Sequence, residues 1–210
     1  MTLRPHLMTA LAALAALALL AGCSSGPATR FYTLAAVAEA PPARAKDSSP
    51  PAARPVTLVI TDLRLPQYLD RPQIVTRGSD HHLRISEHQQ WGGNLRDDMT
   101  RVLAENLGRQ LPGDRVLAAP THIALQPDYR IEVDVQRFER EANGSVRLTA
   151  RWWLTRGPDG VLLASPEASF SGPPVDADAY EALAGAMSAV FGDLAQAIAH
   201  SIRARAAGGS

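Results

Sequence analysis

A single cysteine, Cys23, and a single lysine, Lys46, are the scarcest residues of this 210-residue chain. With one thiol the chain can close no internal disulfide, even in an oxidising compartment, so the fold has to rest on a hydrophobic core. Arginine supplies the other basic side chains, and 21 basic residues balance 21 acidic ones. No basic stripe interleaves with aromatics, which leaves nucleic-acid binding without a footing. No G-x-S-x-G elbow and no H-E-x-x-H helix occur, so a serine hydrolase and a zinc peptidase both lack their signature. After Cys23 no stretch reads as a transmembrane helix, and no internal repeat is visible.

What is present begins at the N-terminus. Arg4 supplies a positive charge, and Ala10 to Leu20 is an unbroken apolar run. Its residues would rise about 16 Å as a helix, roughly half of a ~30 Å hydrocarbon core, which is the length of a signal-peptide apolar region. Leu20-Ala21-Gly22-Cys23 follows and resembles the bacterial lipobox, where small residues admit the backbone to a peptidase and the thiol carries diacylglycerol. The expectation is a cleaved signal over 1–22 and a lipid-modified Cys23, palmitate among its acyl chains. At about 0.8 kcal/mol per buried CH₂, more than one chain anchors stably. The rival is an ordinary signal peptide with a chance cysteine. Ser24 in place of Asp after the cysteine resembles outer-membrane sorting in enterobacteria.

Residues 23–30 read as a tether, 31–206 as one domain and 207–210 as a disordered tail. The seven residues 24–30 reach at most about 25 Å, which keeps the domain near its membrane. Phe31-Tyr32-Thr33-Leu34 has strand composition, and the Pro/Ala-rich stretch 36–55 reads as a disordered loop. Val56–Thr61 predicts a mostly buried strand, and Pro72–Thr76 and Leu83–Ser86 two short strands about a Gly78-Ser79-Asp80 turn. Asn94–Leu111 predicts an amphipathic helix capped by Asn94 and stopped by Pro112-Gly113, with Leu95, Met99, Val102, Leu103 and Leu107 on its apolar face. Tyr129, Ile131, Val133 and Val135 alternate with polar residues. Beyond an Asn143-Gly144 turn, Val146, Leu148, Ala150, Trp152 and Leu154 do the same. The parity breaks at Phe138, which predicts a bulge. Pro158-Asp159-Gly160 leads into a third strand from Val161 towards Phe170. A closing helix over about 177–205 buries Leu183, Met187, Val190, Phe191, Leu194, Ile198 and Ile202. This order predicts an α/β sandwich on a mixed sheet.

Four strings together resemble a known family: FYTL at 31–34, VITDLRLPQYLDRPQIVTR at 59–77, WGGNL at 91–95, and RFE at 137–139 followed by the G-x-V-x-L-x-A-x-W hairpin. They resemble the PqiC family, the ABC-type transport auxiliary lipoprotein components. The resemblance implies a three-layer α/β sandwich on a mixed, largely antiparallel sheet with flanking helices, similar to the N-terminal domain of TolB. It also implies a non-enzymatic subunit of intermembrane lipid transport, without a cofactor, held at the outer membrane and facing the periplasm. The partners it implies are a periplasmic MCE-domain protein with its inner-membrane permease or PqiA-like protein. Ring-like homo-oligomers occur among such relatives. A peptidoglycan-associated envelope lipoprotein and a lipid-anchored hydrolase are the alternatives.

Candidate site residues are few. His81, His82 and His88, with Asp80 and Glu87, are the one cluster that zinc would suit, but their spacing matches no metal helix and solvated hairpin residues are the favoured account. No residue is nominated as catalytic. In YLDRPQIVTR two readings stay open. Tyr68, Leu69 and Ile74 form an exposed lip that binds a partner, or the string is structural, with Asp70 paired to Arg71 or Arg77. Trp152 and Trp153 must face opposite sides of their strand, one of them into the core.

Overall fold

In the computed structural model, residues 27–37, 55–120 and 126–208 are described. The signal segment, Cys23 and most of the Pro/Ala-rich stretch lie outside them. The elements are β1 (Arg30–Tyr32), β2 (Thr57–Arg64), β3 (Gln73–Ser79), β4 (His82–Trp91), α1 (Leu95–Gln110), β5 (Arg115–Ala118), β6 (Tyr129–Arg140), β7 (Ser145–Arg156), β8 (Leu162–Ala164), β9 (Glu167–Pro174) and α2 (Tyr180–Gly208).

The β6–β7 hairpin is the spine of the sheet. Its alternation is strict: Ile131, Val133, Val135, Val146, Leu148, Ala150, Trp152 and Leu154 are all buried. Gly144 turns it at φ +91°, a conformation that disfavours a side chain, and the Asn143 carboxamide oxygen accepts from the Ser145 N–H at 3.0 Å. A register shift between Val135 and Arg137 is the expected bulge. The extra residue returns Phe138 to the core, where its ring lies 5.8 Å from that of Phe191.

One edge of β6 receives two strands in succession. β2 runs parallel to its first half, and β3 meets its end, Thr76 opposite Arg140. β5 extends the sheet parallel to β2, β4 runs antiparallel to β3, and β1 pairs parallel with the last residues of β4. The other edge of the hairpin carries β9 and β8 along β7, both antiparallel. The third strand expected from Val161 is thus two strands. It breaks at Ser165-Pro166, where a proline cannot donate to the ladder and its carbonyl instead accepts from Trp152 N at 3.1 Å.

α1 begins as expected, the Asn94 side chain accepting from Asp97 N at 3.2 Å. All seven residues of the expected α2 stripe are buried, each contributing about 1.5–3 kcal/mol by burial. α2 is also long and apolar enough to cross a membrane by length and composition, contrary to the sequence reading, but 61% of that apolar window is buried in the fold. It is the core helix. α1 and α2 lie side by side, and Arg203 of α2 donates to the Gln110 carbonyl at the end of α1. The mixed-sheet α/β sandwich with flanking helices therefore stands, yet both helices share one face. A helical third layer is absent among the described residues, and the opposite face carries the polar half of each alternation.

FYTL is only briefly a strand. After Tyr32 the chain leaves the sheet and runs as a strap in the furrow between the two helices. Leu34 N donates to Asp98 at 2.8 Å, Ala35 N to the Ser188 hydroxyl at 3.1 Å and Val37 N to the Asn106 side-chain oxygen at 3.0 Å. Arg109 closes the series on the Val37 carbonyl at 2.6 Å. Gly192 permits this approach, since a Cβ there would run into the Val37 side chain. Trp152 is buried, while Trp153 lies on the polar face under the Arg64 guanidinium, 5.4 Å from its ring centre.

Candidate functional site

Because β2 and β3 follow the same edge of β6 in the same direction, residues 65–72 must leave the sheet and return to it. The returning loop is pinned from below. Glu139, in the outward phase after the bulge, has no exposed surface. It accepts from the Tyr68 hydroxyl at 2.8 Å, from Arg77 Nε at 2.8 Å, from Phe138 N at 3.0 Å and from Arg137 Nε at 3.4 Å. Burial, and then the hydrogen bond and charge of Glu139, push the Tyr68 phenol well above its ordinary range. The bond to the same carboxylate raises Arg77 as well. Two of the strings noted in the sequence, YLDRPQIVTR and RFE, thus meet in one buried knot.

The other strings meet beside it, around the β4–α1 corner. Trp91 N donates to the Pro72 carbonyl and Gly92 N to the Tyr32 carbonyl, both at 2.7 Å. Tyr32 in turn donates to Gln89 at 2.7 Å, and Asp70 pairs with Arg96 of α1 at 2.7 Å. Two open clefts flank the corner. One, of about 410 Å³, is lined by Phe31, Asp70, Arg71 and the Gln90–Leu95 turn. The other, about 1190 Å³, lies between the strap and the first turns of α2, with Phe31, Tyr32, Ala35, Tyr180 and Gly185 on its walls. Phe31 stands between the two, 65% exposed.

These positions correct part of the sequence reading. Leu69 and Ile74 are core residues, 3% and 1% exposed, and Tyr68 is half-buried with its hydroxyl committed to Glu139. The exposed lip proposed for a partner is absent, and YLDRPQIVTR is structural. The ion pair is also different: Asp70 reaches Arg96, and Arg77 reaches Glu139. Glu139 was missed because a polar residue at an outward position reads as solvated. His81 and His82 are exposed at the β3–β4 turn and His88 is half-buried further along β4. Among the described residues no three His, Cys, Asp or Glu side chains converge as a metal site. The polar groups gathered at the corner bind backbone and one another, which makes it a shaped, rigid surface.

An α/β sandwich organised around these four strings defines a class, and residues 32–199 match its family: the chain belongs to the ABC-type transport auxiliary lipoprotein components. It is similar to the intermembrane transport lipoprotein PqiC of Escherichia coli K12, 27% identical over 185 residues that span 88% of this chain and 92% of that protein. PqiC of Shigella flexneri matches to the same degree. Among solved structures, an uncharacterised protein superposes with a TM-score of 0.65 at 20% identity, over 84% of this chain and 99% of its own. A Xanthomonas campestris protein of the DUF330 family gives 0.63 at 16%, over 86% and 100%. At such identities these two share the fold.

Proposed function

We propose that the chain is a non-enzymatic subunit of an intermembrane lipid transport system, exported by residues 1–22, lipid-modified at Cys23 and facing the periplasm from the outer membrane. The observation that carries this is the near full-length similarity to proteins named intermembrane transport lipoproteins. The lipobox and the short tether support it. The domain docks a periplasmic MCE-domain protein, which works with an inner-membrane permease or a PqiA-like protein. A tether of this length cannot cross the periplasm, so the partner must reach the domain. Affinity then comes from protein surface, and a pre-ordered domain loses little entropy on binding.

The test is cross-linking of the tagged full chain at native level, followed by mass spectrometry of membranes separated by density. The MCE-domain protein should be recovered from the outer-membrane fraction. Recovery of peptidoglycan-bound proteins without it would overturn the transport reading.

A further inference from the structure

Among the described residues Arg71 is the one arginine with a buried guanidinium nitrogen that makes no hydrogen bond, although others, such as Arg30 and Arg84, also lack a carboxylate partner. Arg77, Arg96, Arg101, Arg137, Arg147, Arg151 and Arg156 all face a carboxylate within 4 Å. Arg71 has no acidic partner among the described residues, and its Nε is buried without a hydrogen bond. It lines the same small cleft as Phe31, whose exposure nothing in the fold explains. The one acidic group on that cleft wall nearest to it in sequence, Asp70, is already matched by Arg96 at 2.7 Å. The cleft is therefore left with an uncompensated guanidinium beside an exposed aromatic ring.

The position of this pair along the chain says what covers it. Phe31 is in β1, the edge strand through which the chain enters the domain, and Arg30 next to it is also exposed. Counting back, the seven residues to Cys23 reach about 25 Å when fully extended and less otherwise. On the reading of Cys23 as a lipid anchor, this corner is the part of the domain held nearest the bilayer. An exposed phenylalanine can bury its ring at the boundary of headgroups and acyl chains, and a planar guanidinium binds phosphate oxygens in pairs.

We propose that the Phe31–Arg71 corner seats on the bilayer that holds the anchor, Phe31 entering the interface and Arg71 taking the phosphate of an anionic phospholipid. Seating fixes which way the domain faces, so that the helix pair is presented in one orientation.

The full-length, processed protein tests this in vesicles of phosphatidylcholine alone or with about 30 mol % phosphatidylglycerol. A Phe31→Cys variant carries an environment-sensitive fluorophore at the site, since an acylated Cys23 has no free thiol. Flotation measures membrane attachment separately. Labelled protein should float with both vesicles, but brominated acyl chains should quench the label strongly only with the anionic lipid. Combining it with Arg71→Gln should reduce the seated population about fivefold, the loss of one basic contact at an anionic surface, whereas Arg71→Lys should retain most of it. Raising salt from about 0.05 M to about 0.5 M should release the label without releasing the protein. Protein that floats yet reports the same label environment in both vesicles, or is indifferent to Arg71→Gln, overturns the seating. Two labels per chain and no flotation would instead overturn the anchor on which it rests.

Discussion

Replacing Glu139 is the most direct test of the knot that returns the β2–β3 loop to the sheet. The carboxylate accepts from four donors and has no exposed surface. Glu139→Ala strands Arg77 and the Tyr68 hydroxyl together. Removing one partner of a buried ion pair costs about 3–5 kcal/mol, because the remaining charge stays desolvated. The Arg77 side chain is 16% exposed and keeps its bond to the Asp80 carbonyl, so it can lean towards water, which places the loss near 3 kcal/mol. The stranded phenol adds about 1 kcal/mol. Glu139→Gln keeps one acceptor oxygen where several donors compete for it, and should cost roughly half as much. Urea unfolding followed through tryptophan fluorescence reads the difference. With a slope of about 2 kcal/mol/M, Glu139→Ala should lower the midpoint by roughly 2 M, and melting by about 10 °C. The slope should not change. Unfolding of Glu139→Ala at the parental midpoint would refute the knot, and equal losses for Ala and Gln would refute the donor competition.

Leu69→Ala should cost about 2–5 kcal/mol as a core truncation and lower the urea midpoint, where an exposed lip residue would leave it unmoved. Gly192→Ala should destabilise by about 1–3 kcal/mol through its clash with Val37, and adding Val37→Ala should restore most of the loss; no rescue would mean the strap does not lie against that helix. Tyr68 has its folded pKa raised, so its contribution is fully present below the ordinary tyrosine value of about 10 and is lost as pH rises through the folded value. Between about pH 10 and 11 the wild type should therefore lose stability more steeply than Tyr68→Phe, and parallel curves would contradict the burial of the phenol. Cys23→Ser should abolish lipid labelling and leave uncleaved precursor, while mature-sized membrane-bound protein in that variant would end the lipoprotein reading.

How far the sequence could be read depended on whether a feature is set by near or distant neighbours. α1 is bounded by its own cap and its own Pro112-Gly113 stop, and the expected range of 94–111 differs by one residue at each end. The β6–β7 hairpin and its bulge are likewise local, the parity change at Phe138 being visible along one strand. The apolar stripe of α2 shows which side of the helix is buried. It does not show which face of the sheet receives it, and only the fold places both helices side by side. The Glu139 knot lay beyond reach because Tyr68 and Arg77 are separated from it by 71 and 62 residues and meet only through the shared edge of β6. Pro166 was the overlooked local signal, a residue that divides one expected strand into β8 and β9.

On the proposed reading of an N-terminal tether, the strap between the helices has a mechanical consequence. A pull arriving at Arg30 meets β1 first and then the strap, whose bonds to Asp98, Ser188, Asn106 and Arg109 succeed one another along the helices. Force in that direction loads these bonds together, in shear, whereas a pull across the sheet would peel β1 from β4 one bond at a time. Behind the short edge strand, the load is thereby taken up by the two longest rods of the fold.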